Sequence, residues 1–412
     1  MVDSSSVLDL GFVEDGRQAR VAAERRRTKL SFLAPAIITL TWFIAVTLFG
    51  LFDRVAEHGV AATTMVVGGF VAGSTPQGGG AVAFPVFTKA LEVPAETARS
   101  FSLCIQAIGM SSAAIAIIAS RRAVAWRAIA IAAPCAIAGF LATLLLFGDP
   151  GQPFWPSTLP GPYVKVTFTL VVAAMAWGVF LGIRIPIRRV RDTVPPIDRR
   201  IGAGLVTCGT LGGVASALVG SGADVFMYTV VVILLGVRSG VGVPTSVITM
   251  AITSVVGFVV LGLIDGQLFV ELSDQGLVSS VGGHVFEQAR PLRQADLFGM
   301  WLAAVPIVAW GAPLGAWIAG RMNARTLVGL ALLVAVAEIV STIIFLGELR
   351  TDATLAIYAV VGTVVALVGI STLAGRRRDL FSLAEVDWSA AITRTSVEVT
   401  PNYRRDIEGD SP

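Results

Sequence analysis

The chain has 412 residues, of which 55% are hydrophobic and 14% charged, with a mean hydropathy of +0.78. Soluble domains carry about 25% charged residues, so this composition excludes an ordinary soluble enzyme or binding module and places the chain among integral membrane proteins. The net charge is only +3, and the basic residues lie mostly between apolar runs, where they report orientation and not nucleic-acid binding.

A leader, residues 1–29, carries Arg17, Arg20, Arg25, Arg26, Arg27 and Lys29. The apolar run after it, Leu30–Phe52, is too long for a signal-peptide core and is followed by no small-residue cleavage site, so it reads as a retained transmembrane helix. A helical span needs roughly 20 apolar residues. Val60–Leu91 comes next; it is too long for one crossing, short for two, and interrupted by "GSTPQGGG" (Gly73–Gly80). Ala95–Ser120, Trp126–Gly148 and Tyr163–Ile183 read as spans, and a basic linker, residues 184–200, follows them. Ile201–Gly236 repeats the earlier ambiguity, with "GSGAD" (Gly220–Asp224) as its interruption. Gly240–Ile264, Leu297–Gly320, Thr326–Leu346 and Thr354–Ala374 complete the set, with a long segment Asp265–Asp296 between the first two and a polar tail, residues 375–412, at the end.

Cytoplasmic loops are enriched in Lys and Arg. If Val60–Leu91 and Ile201–Gly236 each dip into the membrane and return, every basic cluster falls on one side. These are the leader, Arg121, Arg122 and Arg127, the run Arg184–Arg200, Arg321 and Arg325, and Arg376–Arg378. The loop Asp149–Pro162, which has no Lys or Arg, and Asp265–Asp296 then fall outside. The expected fold is an all-α polytopic membrane protein of the inner cell membrane, both termini cytoplasmic, with eight spans and two re-entrant broken-helix hairpins.

Laid on itself, the chain brings Gly68 and Gly69 onto Gly212 and Gly213, Gly78 onto Gly222 and Ser102 onto Ser246. Past the long outer segment, Pro134 and Gly139 meet Pro306 and Gly311. Residues 60–183 and 201–346 thus each hold one hairpin and three spans. Three is odd, so the halves are inverted, a pattern found in secondary transporters whose substrate lies where the breaks meet.

A helix N-terminus offers free N–H donors and a partial positive charge, and glycine admits a ligand close to the backbone. Gly78, Gly79 and Gly80 at one tip and Gly222 at the other therefore suit a small oxyanion, with side-chain donors from Ser74, Thr75, Gln77 and Ser221. Ser102, Gln106, Thr245 and Ser246 begin the following spans and are expected to complete the lining. Hydroxyl groups at a break also serve as plain caps. Asp224 and Glu338 are carboxylates inside apolar runs and are candidates for proton coupling; Asp224 also reads as a helix cap, and Glu338 has no basic neighbour in sequence. Lys89, Arg99 and Lys165 are expected to snorkel to the interface. Cys104, Cys135 and Cys208 lie in apolar runs without CxxC spacing and read as small buried hydrophobes. No cofactor or metal is expected: His58 and His284 lie in outer segments, and no GxxxxGK[ST] loop occurs.

"GGFVAGSTPQGGGAVAFPVF" followed by "PAETARSFSL" resembles the first repeat of the sulfite exporter TauE/SafE family of membrane transporters, and "LGGVASALVGSGADVFM" followed by "GVPTSVITM" resembles its second. The similarity runs from about Val60 to Ala374. Asp224, where a small residue is usual, and the segment Asp265–Asp296 depart from the family pattern. The resemblance implies a transporter of anions such as sulfite, sulfoacetate or related organosulfur compounds, with small anion and lipid as its partners. An anion channel and an intramembrane enzyme stand as alternatives.

Overall fold

The computed structural model describes residues 30–147, 160–184, 191, 193–264, 268, 272–273, 276–277, 280–281, 284–285 and 296–372. The basic leader, residues 185–190, most of the segments Asp149–Pro162 and Asp265–Asp296, and the tail from residue 373 lie outside them. The apolar runs form helices: α1 (Leu33–Leu48), α2 (Phe52–Glu57), α3 (Gly59–Ser74), α4 (Gly80–Pro85), α5 (Ala95–Ala119), α6 (Trp126–Leu146), α7 (Gly161–Arg184), α8 (Arg199–Val219), α9 (Ala223–Tyr228), α10 (Ser239–Gly257), α11 (Leu297–Ala319), α12 (Ala324–Phe345), α13 (Glu348–Thr351) and α14 (Ala353–Thr372). α4, α9 and α10 continue directly into π-helical turns, Val86–Ala90, Thr229–Leu234 and Phe258–Ile264. Between α10 and α11 two small antiparallel ribbons pair Leu272 with Leu277 and Ser280 with Val285.

Among the described residues, eight helices are long and apolar enough to cross a membrane, so the chain is an all-α polytopic membrane protein. The membership of that set differs from the sequence-based expectation at two places. Leu30–Phe52, expected as one span, is divided at Gly50, whose φ of 66° turns the chain and leaves α1 only 16 residues long. The first part of Ile201–Gly236, expected as half of a re-entrant hairpin, is a 21-residue helix, α8. At 1.5 Å per residue it spans about 31 Å, enough to cross alone. Its start is sharpened by Asp198, whose carboxylate accepts the Ile201 N–H at 2.7 Å.

Both interruptions break the helix for identifiable reasons. Thr75 is extended, with φ −125° and ψ 160°, as the residue before Pro76 must be. Gly78 then turns the chain with a φ of +67°. At the second break Gly220 closes α8 in the left-handed conformation (φ 80°), its N–H donating to Ser216 O at 2.9 Å.

The opening limbs are seated reciprocally. α3, from the first half of the chain, lies along α11 of the second; α8, from the second, lies along α6 of the first; α5 and α10 pack against each other between them. Small residues allow this close approach. A methyl group on Gly73 would collide with the Ala312 carbonyl, and one on Gly213 with the Ala136 carbonyl. The returning limb α4 is held by aromatic packing, with Phe84 4.9 Å from Phe168 and Phe87 edge-on to Phe101 at 4.5 Å between ring centroids.

An ion pair ties the loop region beside α3 to the start of α11. Arg54 on α2 donates to both carboxylate oxygens of Asp296, at 2.7 and 2.9 Å, and lies over the Phe298 ring. Asp296 also caps α11, accepting the Gly299 N–H at 3.0 Å. Burial pushes the Asp296 carboxyl up, but the Arg54 hydrogen bonds, the Gly299 N–H and the Arg54 charge outweigh it and hold the group below the usual carboxylate range.

Gly213→Ala is expected to lower the stability of the detergent-solubilised protein by about 1–3 kcal/mol through overpacking. Gly204→Ala on the same helix, with open space at the site, should leave the thermal midpoint unchanged or slightly higher. Because Asp296 is depressed in the folded state, its contribution is full above the ordinary carboxylate pKa, about 3.9, and is lost as pH falls through the lower folded value. Asp296→Asn should therefore lower the thermal midpoint at neutral pH and flatten its decline in acid. A midpoint equal to wild type at neutral pH would show that the pair contributes nothing.

Candidate functional site

The two breaks meet against one face of α5. Arg99, Ser102 and Gln106 recur there at helical spacing, so they share a face. Each reaches the second break: Arg99 Nη1 donates to Ala217 O at 2.9 Å, Ser102 Oγ to Gly220 O at 3.1 Å, and Gln106 Nε2 to Gly220 O at 2.9 Å. The tips also touch directly, Ser221 Oγ donating to Gln77 O at 3.3 Å. All of these side chains, with Ser74, Thr75, Gln77 and Asp224, are buried.

Glycine is required at this junction by space as well as by conformation. A side chain starting at Gly80 would lie 2.6 Å from Ser102 Oγ and 3.0 Å from Gln106 Nε2. One starting at Gly78 would lie 2.6 Å from Asp224 Oδ2 and 2.7 Å from Gln106 Oε1. Gly79 faces the other way, towards Gly68 O and Ala72.

The donors at the second tip are largely occupied from within. Gly222 holds the N-cap position of α9. Asp224, in the first turn, accepts the Val225 N–H at 2.9 Å, and Ser216 Oγ accepts the Ala223 N–H at 3.1 Å. The Asp224 carboxyl thus stands where a bound anion would stand if α9 served as its cradle. The first tip carries no such carboxyl. Ser74 and Thr75 donate to carbonyls of their own helix, Phe70 O and Val71 O. Gln77 reaches across to α12, its Nε2 donating to Ala331 O at 3.1 Å, while its Oε1 has no partner among the described residues.

Thr245 and Ser246 are turned elsewhere. Thr245 donates to Val241 O and accepts the Ala125 N–H, and Ser246 donates to Val243 O. Hydroxyl groups on helices commonly satisfy themselves on the preceding turn. The hydrogen bonds of both lie away from the tips, so the structure gathers Gln77, Gly78, Gly80, Ser102, Gln106, Ser221, Gly222 and Asp224 there, but not these two.

Glu338 and Lys89 form a second buried centre. Glu338 does have a basic partner: Lys89 Nζ donates to its Oε1 at 2.6 Å, and to Thr342 Oγ1 and Ser341 Oγ at 2.7 and 3.0 Å. Thr169 on α7 adds a donor to the same oxygen at 2.8 Å. The expectation that Lys89 and Arg99 snorkel is corrected here. Their exposures are 8% and 1%, because each finds acceptors inside the protein that make a path to the interface unnecessary. Lys165 is half-buried. The missed signal for Arg99 was its position three and seven residues before Ser102 and Gln106.

A family model described as Sulfite exporter TauE/SafE matches residues 60–341, more than half of the chain. No curated protein matches the chain, and no solved structure matches it.

Removing one partner of a buried pair strands a charge, which costs about 3–5 kcal/mol. Lys89→Met and Glu338→Met should each lower stability by that order in detergent. The double variant Lys89→Met/Glu338→Met should be more stable than the sum of the single losses implies; additive losses in the thermodynamic cycle would show that the two side chains do not interact.

Proposed function

The chain belongs to the sulfite exporter TauE/SafE family, and from that premise we propose that it is a secondary transporter of small anions such as sulfite, sulfoacetate or related organosulfur compounds. One observation carries the proposal: two glycine-broken helices bring their buried tips together through Ser221 and Gln77 against the polar face of α5. A break at that depth is costly for a passive scaffold, because each freed backbone group must be paired inside the protein.

The anion is placed at the first tip, Gly78–Gly80, with Gln77, Ser102, Gln106 and Ser221 around it. Asp224 must be neutral or displaced when the anion arrives, since a carboxylate competes for the same donors, and this links anion movement to a proton. Reciprocal seating of α3 on α11 and α8 on α6 supports two inverted halves, with tips entering from opposite sides. The distribution of arginine supports an inner-membrane location with both termini in the cytoplasm. Paired with Lys89, Glu338 is a poorer proton carrier than Asp224; its place is to anchor the returning limb of the first break.

The test is a binding screen on the purified protein with sulfite, thiosulfate, sulfonates and carboxylates, read as thermal stabilisation. At least one anion should raise the midpoint of the wild type. Gly80→Val, whose side chain would collide with Ser102, should fold but lose that anion-dependent rise. Binding unchanged in Gly80→Val would overturn the placement of the anion.

A further inference from the structure

Where the tips meet, two buried oxygen acceptors border the same point beside Gly78. Asp224 Oδ2 and Gln106 Oε1 lie 2.6 and 2.7 Å from one point, the position a side chain on Gly78 would occupy. Neither has a hydrogen-bond partner among the described residues, and the two residues are 0% and 1% exposed. Gln106 cannot relieve the contact by turning its amide over. Its Nε2 donates to the carbonyl oxygens of Ser102 and Gly220, at 3.1 and 2.9 Å. The Ser102 hydroxyl also lies 2.8 Å from Nε2; turned over, the amide could take that hydroxyl's proton but would set its own oxygen against both carbonyls. The Asp224 carboxyl is fixed as well, because its Oδ1 accepts the Val225 N–H at 2.9 Å.

We propose that the junction of the two tips is a proton-binding site: Asp224 carries a hydrogen on Oδ2 and donates it to Gln106 Oε1 while the tips are together. One proton turns an unsolvated contact between two acceptors into a hydrogen bond. Charged groups also stand on the surrounding elements. Arg99 of α5 is turned to Ala217 O, Lys89 beyond α4 is paired with Glu338 of α12, Arg199 and Arg200 stand at the far end of α8, and α7 carries Lys165 and Arg184 near its two ends. Tyr228, on the same limb as Asp224, shares a hydrogen bond with Ser239.

This deepens the transport reading, on which the use of the proton rests. When the O–H bond of Asp224 breaks, the electron pair stays on Oδ2 and the proton passes to water in the opened junction. The resulting carboxylate faces the fixed oxygen of Gln106, and the tips lose their contact. Closing the tips and taking up the proton are therefore one event. In this arrangement Gln106 is a positioning residue, acting through Asp224.

Infrared spectroscopy of the purified protein tests the site without any substrate or transport assay, so its outcome is separate from that of the transport reading. At neutral pH the wild type should show the carbonyl stretch of a protonated carboxylic acid, shifted by deuterium exchange. Asp224→Asn should remove the band, and Glu338→Gln should leave it. In Gln106→Leu, which retains the acid but not its acceptor, the band should move to higher frequency. The proposal is overturned if the band is absent at neutral pH, persists in Asp224→Asn, stays unmoved in Gln106→Leu, or is abolished by sodium ions, which would make the occupant a metal cation.

Discussion

Everything in this protein is arranged around one requirement: a backbone interrupted inside hydrocarbon must find every hydrogen-bond partner within the protein. The chain is interrupted at Thr75–Gly79 and at Gly220–Gly222, and each interruption frees carbonyls and N–H groups that lipid cannot pair. α5 supplies much of what is needed. Ser102 and Gln106 both serve the Gly220 carbonyl, Arg99 serves Ala217 one turn earlier, and Ser221 serves the Gln77 carbonyl of the opposite tip. Polarity is thus concentrated on one helix face at the centre of the molecule, while Leu33, Ile37, Leu40 and Val365 remain turned outward, as lipid-facing side chains are.

The two breaks are not equally equipped. Asp224 fills the second tip with a carboxyl that the first tip lacks. Lys89 on the first returning limb is locked to Glu338, whereas Ile233, which falls on Lys89 when Gly78 is laid on Gly222, is an apolar core residue. A buried ion pair pins one limb, and packing with the Tyr228–Ser239 hydrogen bond holds the other. Such an imbalance gives the two limbs different costs of movement, because separating a buried pair exposes charge to a dry interior.

The sequence carried the architecture well because its signals are local. Pro76 with three consecutive glycines, and Gly-Ser-Gly at 220–222, mark breaks that backbone sterics alone dictate. Apolar runs of membrane length mark spans, although Gly50 was passed over as a divider because the run around it is uniformly apolar. What sequence could not supply is pairing over distance. Lys89 and Glu338 are 249 residues apart, and Gln106 and Gly220 are 114 apart; nothing in their neighbourhoods names the partner. Thr245 and Ser246 show the converse, since a hydroxyl near a break is as easily satisfied by its own helix as by a ligand.

The seating of α3 on α11 and of α8 on α6 bears on how the molecule is made. The groove that receives α3 is synthesised more than two hundred residues later, long after the first break has entered the membrane. Until then Gly73 has no carbonyl to pack on, and the first broken helix has no interior to hide in. The halves are interlocked and not stacked, so neither is a unit that folds ahead of the other, and most of the decisive contacts are distant ones that form slowly. A ribosome releasing this chain therefore leaves a half-protected break waiting in the bilayer for its counterpart to arrive.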